Sequence, residues 1–294
     1  MIKKLKIIIS GSEGFIGQCL KKYLLELDDC EIQYLDKING FDLCNQEELS
    51  EIGYFDVFVH LAALSYVPES FKNPHKFYDV NFNSTLNVLE LCRKYKAKMI
   101  FFSSYVYGSP KYLPIDEEHP LQAINPYAQT KIIGEQLCEG YFRDFDIGCT
   151  ILRPFNIYGE GQNELFLIPS IIKKIKDGEK TIRLIDPNPR RDFVHVYDVV
   201  RAIKLCINNL SKQQIQLKHY NLASGKSYSV QEIVEIIKNI DTMFKEIKFE
   251  FSPHIIRKNE VNETLGSYEK IRKELGWEPT ISIEEGLLKM LKHI

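Results

Sequence analysis

Tyr127 and Lys131 are the residues whose types and spacing most directly suggest chemistry. They lie in the stretch Asn125-Pro126-Tyr127-Ala128-Gln129-Thr130-Lys131. Pro126 suits the first position of a helix, where its fixed φ and missing N–H cost little. Residues four apart on a helix share a face, so the phenol and the ammonium can point into one site. A phenol of ordinary pKa, about 10, is a poor base at neutral pH, but a nearby cation favours its ionised form. The pair reads as a base for the proton of a secondary alcohol. The same spacing also fits the surface of an ordinary amphipathic helix, so the rest of the chain has to decide.

Gly11-Ser12-Glu13-Gly14-Phe15-Ile16-Gly17 follows the first predicted strand and opens the first predicted helix. Glycines there let the backbone turn sharply and approach a pyrophosphate, which the helix N-terminus attracts. The spacing is Gly-x-x-Gly-x-x-Gly, and taken alone it fits a structural turn equally well. Asp36 ends the second predicted strand about 20 residues beyond Gly17, where an acid meets the adenosine ribose hydroxyls of NAD. Lys37 is the counter-signal, because a base there suits the 2′-phosphate of NADP. We weigh Asp36 more heavily and expect NAD.

The elements that must hold these groups are read from periodicity. Apolar runs at 5–10, 31–35, 57–61, 99–103 and 148–152 predict strands, and helix-spaced apolar residues fill 15–27, 84–95 and 126–142. This alternation predicts an α/β fold with a Rossmann-type, doubly wound parallel sheet. Beyond Pro154 the pattern weakens. It predicts a helix near 169–176, a strand at 193–196, a helix opened by the capping box Ser229-Val230-Gln231-Glu232, and a last helix over 283–292. The expected organisation is a dinucleotide-binding domain over 1–152, rejoined by about 192–223, and a smaller, irregular substrate-binding lobe over 153–294. The ligand is expected between them.

The 294 residues suffice for one large or two modest domains. A net charge of −2 gives no argument for nucleic acid or an anionic membrane. No apolar run approaches the roughly 20 residues of a membrane span. The N-terminal apolar run is broken too early, at Ser10-Gly11-Ser12-Glu13, to read as a signal peptide. The seven cysteines are scattered and form no Cys-x-x-Cys. The expectation is a cytoplasmic setting, with neither a metal site nor a disulfide framework.

Taken in order, the pieces resemble one family. They are Gly11–Gly17, His60-Leu61-Ala62-Ala63, Asn81, Ser103-Ser104-Tyr105-Val106-Tyr107-Gly108, the Tyr127/Lys131 pair, Arg153-Pro154-Phe155-Asn156 and Arg191-Asp192-Phe193-Val194-His195-Val196. The chain resembles the extended short-chain dehydrogenase/reductases, in the nucleotide-sugar epimerase/dehydratase group. The resemblance implies a cofactor site of Gly11, Gly14, Phe15, Ile16, Gly17, Asp36, Asp42, Leu43, Leu61, Ala62, Ala63 and Asn81, with Tyr127 and Lys131. It implies Ser103, Tyr127 and Lys131 as catalytic residues. For the substrate it implies Ser103, Ser104, Tyr105, Asn156, Arg191 and Arg257, the arginines gripping a diphosphate. It also implies a homodimer built on the helices near 84–95 and 126–142. Alternative readings stay open: Asn81 also suits a helix cap, and Tyr105 also suits loop packing. His60 and His195 are expected to be structural, and Asp192 to hold the geometry of its neighbour.

The positions after Ser103 choose among the branches. Dehydratases resembling this chain carry a carboxylate there, to serve the leaving hydroxyl and the neighbouring C–H. Here the positions hold Ser104 and Tyr105, so dehydration is rejected. A 4-epimerase needs only the Ser, the Tyr and a bound NAD, and the expected substrate is a nucleotide-diphosphate sugar, with UDP favoured by resemblance. The alternative is an NADPH-consuming 4-ketoreductase of a 4-keto-6-deoxy nucleotide sugar.

Overall fold

The computed structural model describes residues 4–25, 30–212, 215–252 and 261–292. Arg257 lies outside the described residues. Six strands form one parallel sheet: β1 (Leu5–Ser10), β2 (Cys30–Leu35), β3 (Val57–His60), β4 (Lys98–Phe102), β5 (Cys149–Pro154) and β9 (Leu217–Leu222), in the order β2-β1-β3-β4-β5-β9. The order reverses between β1 and β3, as in a doubly wound sheet. Ile7, Ile8 and Ile9 are buried, as are Val57, Phe58 and Val59. Both faces of these strands are covered, which explains their unbroken apolar runs.

Register aligns the carboxyl ends. Ser10 stands beside His60, His60 beside Phe101, and Phe102 beside Leu152. Loops leaving these strands therefore open onto one edge, where open α/β sheets bind ligands. One face is packed by α1 (Phe15–Leu24) and α7 (Val196–Lys212). The other is packed by α4 (Pro74–Tyr95) and α5 (Pro126–Phe145), with the short α2 (Gln46–Ser50) and α3 (Val67–Lys72) nearby. The Asn125 side chain caps α5, its Oδ1 accepting from Ala128 N at 2.8 Å, and Pro126 follows at the first position.

The remaining strands make two small sheets. β6 (Asn156–Tyr158), β8 (Arg190–His195) and β10 (Ser227–Ser229) form one, and β7 (Thr181–Leu184) pairs with β11 (Lys248–Phe251) in the other. They enclose a separate core with α6 (Leu167–Lys176), α8 (Val230–Ile240) and α10 (Ile283–Leu291), while α9 (Glu269–Leu275) lies near β9. The predicted capping box is formed: Ser229 Oγ accepts from Glu232 N at 3.1 Å and Glu232 Oε2 accepts from Ser229 N at 2.7 Å. The short α2, α3 and α9 were not expected, and two longer helices also exceed expectation. α4 starts ten residues before the predicted 84, because its first turns carry polar residues such as His75, Lys76 and Asp79. α7 was not predicted, although Val199, Val200, Ile203, Cys206, Ile207 and Leu210 make a buried helical stripe. No described helix is long and apolar enough to cross a membrane.

Candidate active site

The glycine loop is tightly constrained. Gly11 has φ +70°, and a Cβ on it would lie 2.7 Å from Ala62 N. A Cβ on Gly17 would lie 2.1 Å from the Gly11 carbonyl oxygen. Neither position has room for a side chain, so the turn sits close against both its own helix and the loop after β3. Gly14 is the N-cap of α1, and no side chain caps that helix or places an acid in its first turn. The first-turn N–H groups around Phe15, Ile16 and Gly17 thus form an anion-attracting end with no protein acid to satisfy it.

Asp36 is fixed against this loop. Its Oδ2 accepts from Glu13 N at 2.9 Å and its Oδ1 from Ile38 N at 3.0 Å. Lys37 turns away, with Nζ 2.5 Å from Asp42 Oδ2. Asp42 Oδ1 also accepts from Cys44 N at 3.0 Å. The Leu43 side chain is in the core, and its carbonyl takes a hydrogen bond from Asn87.

The loop after β3 brings half-buried Leu61, Ala62 and Ala63 beside the glycines. Asn81 holds that loop. Its Oδ1 accepts from Leu64 N at 2.8 Å, and its Nδ2 donates to Leu64 O at 3.0 Å and to Thr130 Oγ1 at 2.9 Å. It sits inside α4 rather than at an end, so it is no helix cap, and its amide is occupied by protein. His60 is a packed, satisfied histidine: Nδ1 is 2.9 Å from Ser10 Oγ and Nε2 is 3.3 Å from Thr85 Oγ1. Burial pushes its pKa down to about 3, so it is neutral.

Tyr127 and Lys131 lie one turn apart on α5, facing the end of β4. Lys131 is 4% exposed and donates from Nζ to the Phe102 carbonyl at 2.7 Å. Its ammonium lies 5.0 Å from the Phe101 ring centroid and 5.9 Å from that of Tyr127. Burial pushes its pKa down to about 8, with Glu135 opposing the shift. Ser103 is buried and gives its proton to Glu135 Oε1, while Ser104 lies close enough to Tyr127 to act on its phenol. The hydroxyl beside the phenol is therefore that of Ser104. Tyr127 itself is pushed up by burial, and Ser104 acts against that. The Lys131 ammonium, expected to lower it, bonds to the Phe102 carbonyl and faces the Tyr127 ring.

Across the cleft, Tyr105 packs edge-on against Phe155 and Tyr107, at 5.4 and 5.7 Å between centroids. Its hydroxyl donates to Gly108 O at 2.6 Å. Arg191 is close enough to oppose the upward pull of burial on that phenol. It donates from Nη1 to Arg190 O at 2.9 Å and Val261 O at 2.7 Å. Half-buried Asn156 opens β6 next to Phe193 of β8. Asp192 does more than hold a neighbour. It accepts from Ser224 N and Oγ, Gly225 N and Gly266 N, tying two loops to β8. His195 accepts from Tyr197 N at 3.2 Å, within the small-sheet layer.

Residues 33–290 match the family described as GDP-mannose 4,6 dehydratase. The chain belongs to this family, among the extended short-chain dehydrogenase/reductases. It is 34% identical to a putative UDP-glucose 4-epimerase of Methanocaldococcus jannaschii, over 97% of each chain. It is 30% identical to a GDP-6-deoxy-D-mannose reductase of Pseudomonas aeruginosa, over 97% of this chain and 96% of the relative. A structure of UDP-glucose 4-epimerase from Bifidobacterium longum, in complex with NAD+ and UDP, superposes with TM-score 0.86 at 26% identity, over 97% of both chains. The family thus spans several chemistries, and the groups around Tyr127 have to distinguish them.

Proposed function

We propose that this chain is an NAD-dependent epimerase that inverts C4 of a nucleotide-diphosphate sugar through a 4-keto intermediate. The carrying observation is the Ser104–Tyr127–Lys131 array, at the carboxyl edge of the sheet, without a carboxylate at positions 104 or 105. Glu135 is nearby but gripped by Arg153 and Ser103, so it does not serve as a dehydratase acid.

The glycine loop leaves the close backbone approach that a dinucleotide pyrophosphate needs, and Asp36 stands where its adenosine ribose would lie. Gly11, Gly14, Phe15, Ile16, Gly17, Asp36, Leu61, Ala62 and Ala63 would hold it, with Asn81 fixing the loop from behind. NAD, when bound, would supply a hydride acceptor for the sugar carbon, and its cationic ring would favour loss of the Tyr127 proton. Tyr127 takes the proton of the sugar hydroxyl, Ser104 hydrogen-bonds the same oxygen, and Lys131 contributes positive charge. After the ketone turns, Tyr127 returns the proton to the other epimer. Asn156 and Arg191 face the diphosphate, an Arg fork matching phosphate oxygens. Arg257 is assigned the same task.

Residues 1–152 with α7 and β9 carry the cofactor in this reading, and the other elements the sugar. UDP is the favoured nucleotide, by likeness to the epimerases. The enzyme is read as a cytoplasmic homodimer. Exposed Tyr78, Phe82 and Phe145 on α4 and α5 offer the apolar face for pairing.

The 30% identity to a reductase supports a second reading, 4-ketoreduction with NADPH. Incubation with a panel of nucleotide sugars and product analysis separates the two. An epimerase yields an equilibrium of epimers with no net turnover of added cofactor. Oxidation of NADPH in step with a keto-sugar would overturn the epimerase reading.

A further inference from the structure

Glu135 is a buried carboxylate that the chemistry above does not use. It stands on α5 one turn beyond Lys131 and two beyond Tyr127, so the three share a face. Its side chain is 1% exposed. Arg153 of β5 grips it, Nη2 to Oε2 at 2.7 Å and Nε to Oε1 at 3.1 Å. Ser103 at the end of β4 donates to Oε1. Arg153 Nη1 continues to Tyr107 Oη at 3.1 Å, and Tyr107 Oη donates to Asn221 Oδ1 of β9 at 2.6 Å. The carboxylate therefore joins α5 to the ends of β4, β5 and β9.

Stability alone is a weak reason for such a group, because apolar replacements of buried ion pairs are often as stable. Two consequences concern the site instead. Ser103, the first residue after β4, is held on Glu135, while Ser104 next to it lies near Tyr127 on the same helix. In addition, Glu135 places a negative charge one turn from the Lys131 ammonium. The other groups facing Lys131 are Cys138 on its own helix, His60 on β3, the Tyr127 ring and the Phe102 carbonyl. His60 is neutral, and burial pushes the Cys138 thiol well up. Glu135 is the carboxylate of this set, held by Arg153.

We propose that Glu135 is a positioning residue for proton transfer: held by Arg153, it anchors Ser103 at the end of β4 and sets a carboxylate one turn from the Lys131 ammonium. The inference rests on the reading of Tyr127 as the proton-transfer group. Its test is the titration of Lys131 in the cofactor-free protein, by NMR of lysine labelled at the ε-carbon and assigned with Lys131→Met. Glu135→Gln should lower the midpoint by about one unit. It should also lower kcat about tenfold or more, with KM within about threefold, as expected for loss of a group acting on the chemical step. An unchanged midpoint and an unchanged kcat would overturn the proposal. If that variant does not fold, Glu135→Gln/Arg153→Met removes both charges of the pair, and it must show the same lowered midpoint or the proposal falls. Tyr127→Phe is assayed alongside. Full activity there would reject the site reading, while the Lys131 titration still judges the charge role of Glu135 on its own.

Discussion

Ser103 Oγ donates to Glu135 Oε1, whereas the neighbouring Ser104 lies close enough to Tyr127 to oppose the effect of burial on its phenol. The adjacent serines thus have different partners on α5, and their truncations should separate. Ser104→Ala removes the hydroxyl beside the reacting oxygen, and kcat should fall by roughly 10²-fold, as for other positioned donors. Ser103→Ala leaves a buried carboxylate short of one donor, which costs about 1–3 kcal/mol of stability, with a smaller loss of kcat. Steady-state kinetics and denaturant unfolding of both variants check the assignment. A Ser103→Ala enzyme that loses more kcat than Ser104→Ala would reverse it.

Tyr127→Phe deletes the hydroxyl and little else, since the ring keeps its contact with Lys131. Conversion should fall by at least about 10²-fold, the contribution usual for a general base, while NAD binding stays within about twofold. Product analysis and calorimetry read the two quantities separately. A variant that keeps a tenth of the wild-type rate has its base elsewhere.

Asp36 and Lys37 make opposite predictions about the cofactor. Asp36 is held at the glycine loop, while Lys37 is spent on Asp42. Asp36→Asn should weaken NAD about tenfold, a single charge-assisted hydrogen bond's worth, and narrow the gap to NADP. Lys37→Ala should leave the affinity for NADP unchanged within about twofold. Calorimetric titration of the variants decides. A Lys37→Ala protein that loses NADP selectively would show that the lysine swings back to a phosphate.

Much of this site is written locally in the chain. The strands at its floor show as apolar runs because both faces are covered, and the N-terminus of α5 shows through Asn125 and Pro126. The order of the serines does not show. It depends on Glu135, which takes the Ser103 hydrogen bond from α5 and is itself held by Arg153, 18 residues away on β5. The spacing Tyr127, Lys131, Glu135 was a usable signal, because it places a third ionisable group on the same helical face. The role of Asn81 was hidden for a similar reason: its partners, Leu64 and Thr130, lie on other elements. Asp192 likewise bonds loops that meet only in the folded lobe.

Lys131 carries a consequence for stability as well as chemistry. Burial lowers its pKa from 10.5 to about 8. Below pH 8 both folded and unfolded chains hold the proton, and the folded state bears the full cost of a buried ammonium. Between pH 8 and 10.5 the folded chain has released a proton that the unfolded chain retains, so stability rises with pH across that window. The shift corresponds to about 3 kcal/mol as an upper figure, partly offset by the hydrogen bond to Phe102 O. Lys131→Met removes the charge and fills the same space. At pH 7 the variant should be inactive yet more stable than the wild type, by up to about 2 kcal/mol once the lost hydrogen bond is counted. By pH 10 the advantage should have largely disappeared. Urea unfolding at pH 7 and pH 10 measures it directly, and a variant less stable than wild type at pH 7 would show that the ammonium is stabilised by its surroundings rather than strained by them.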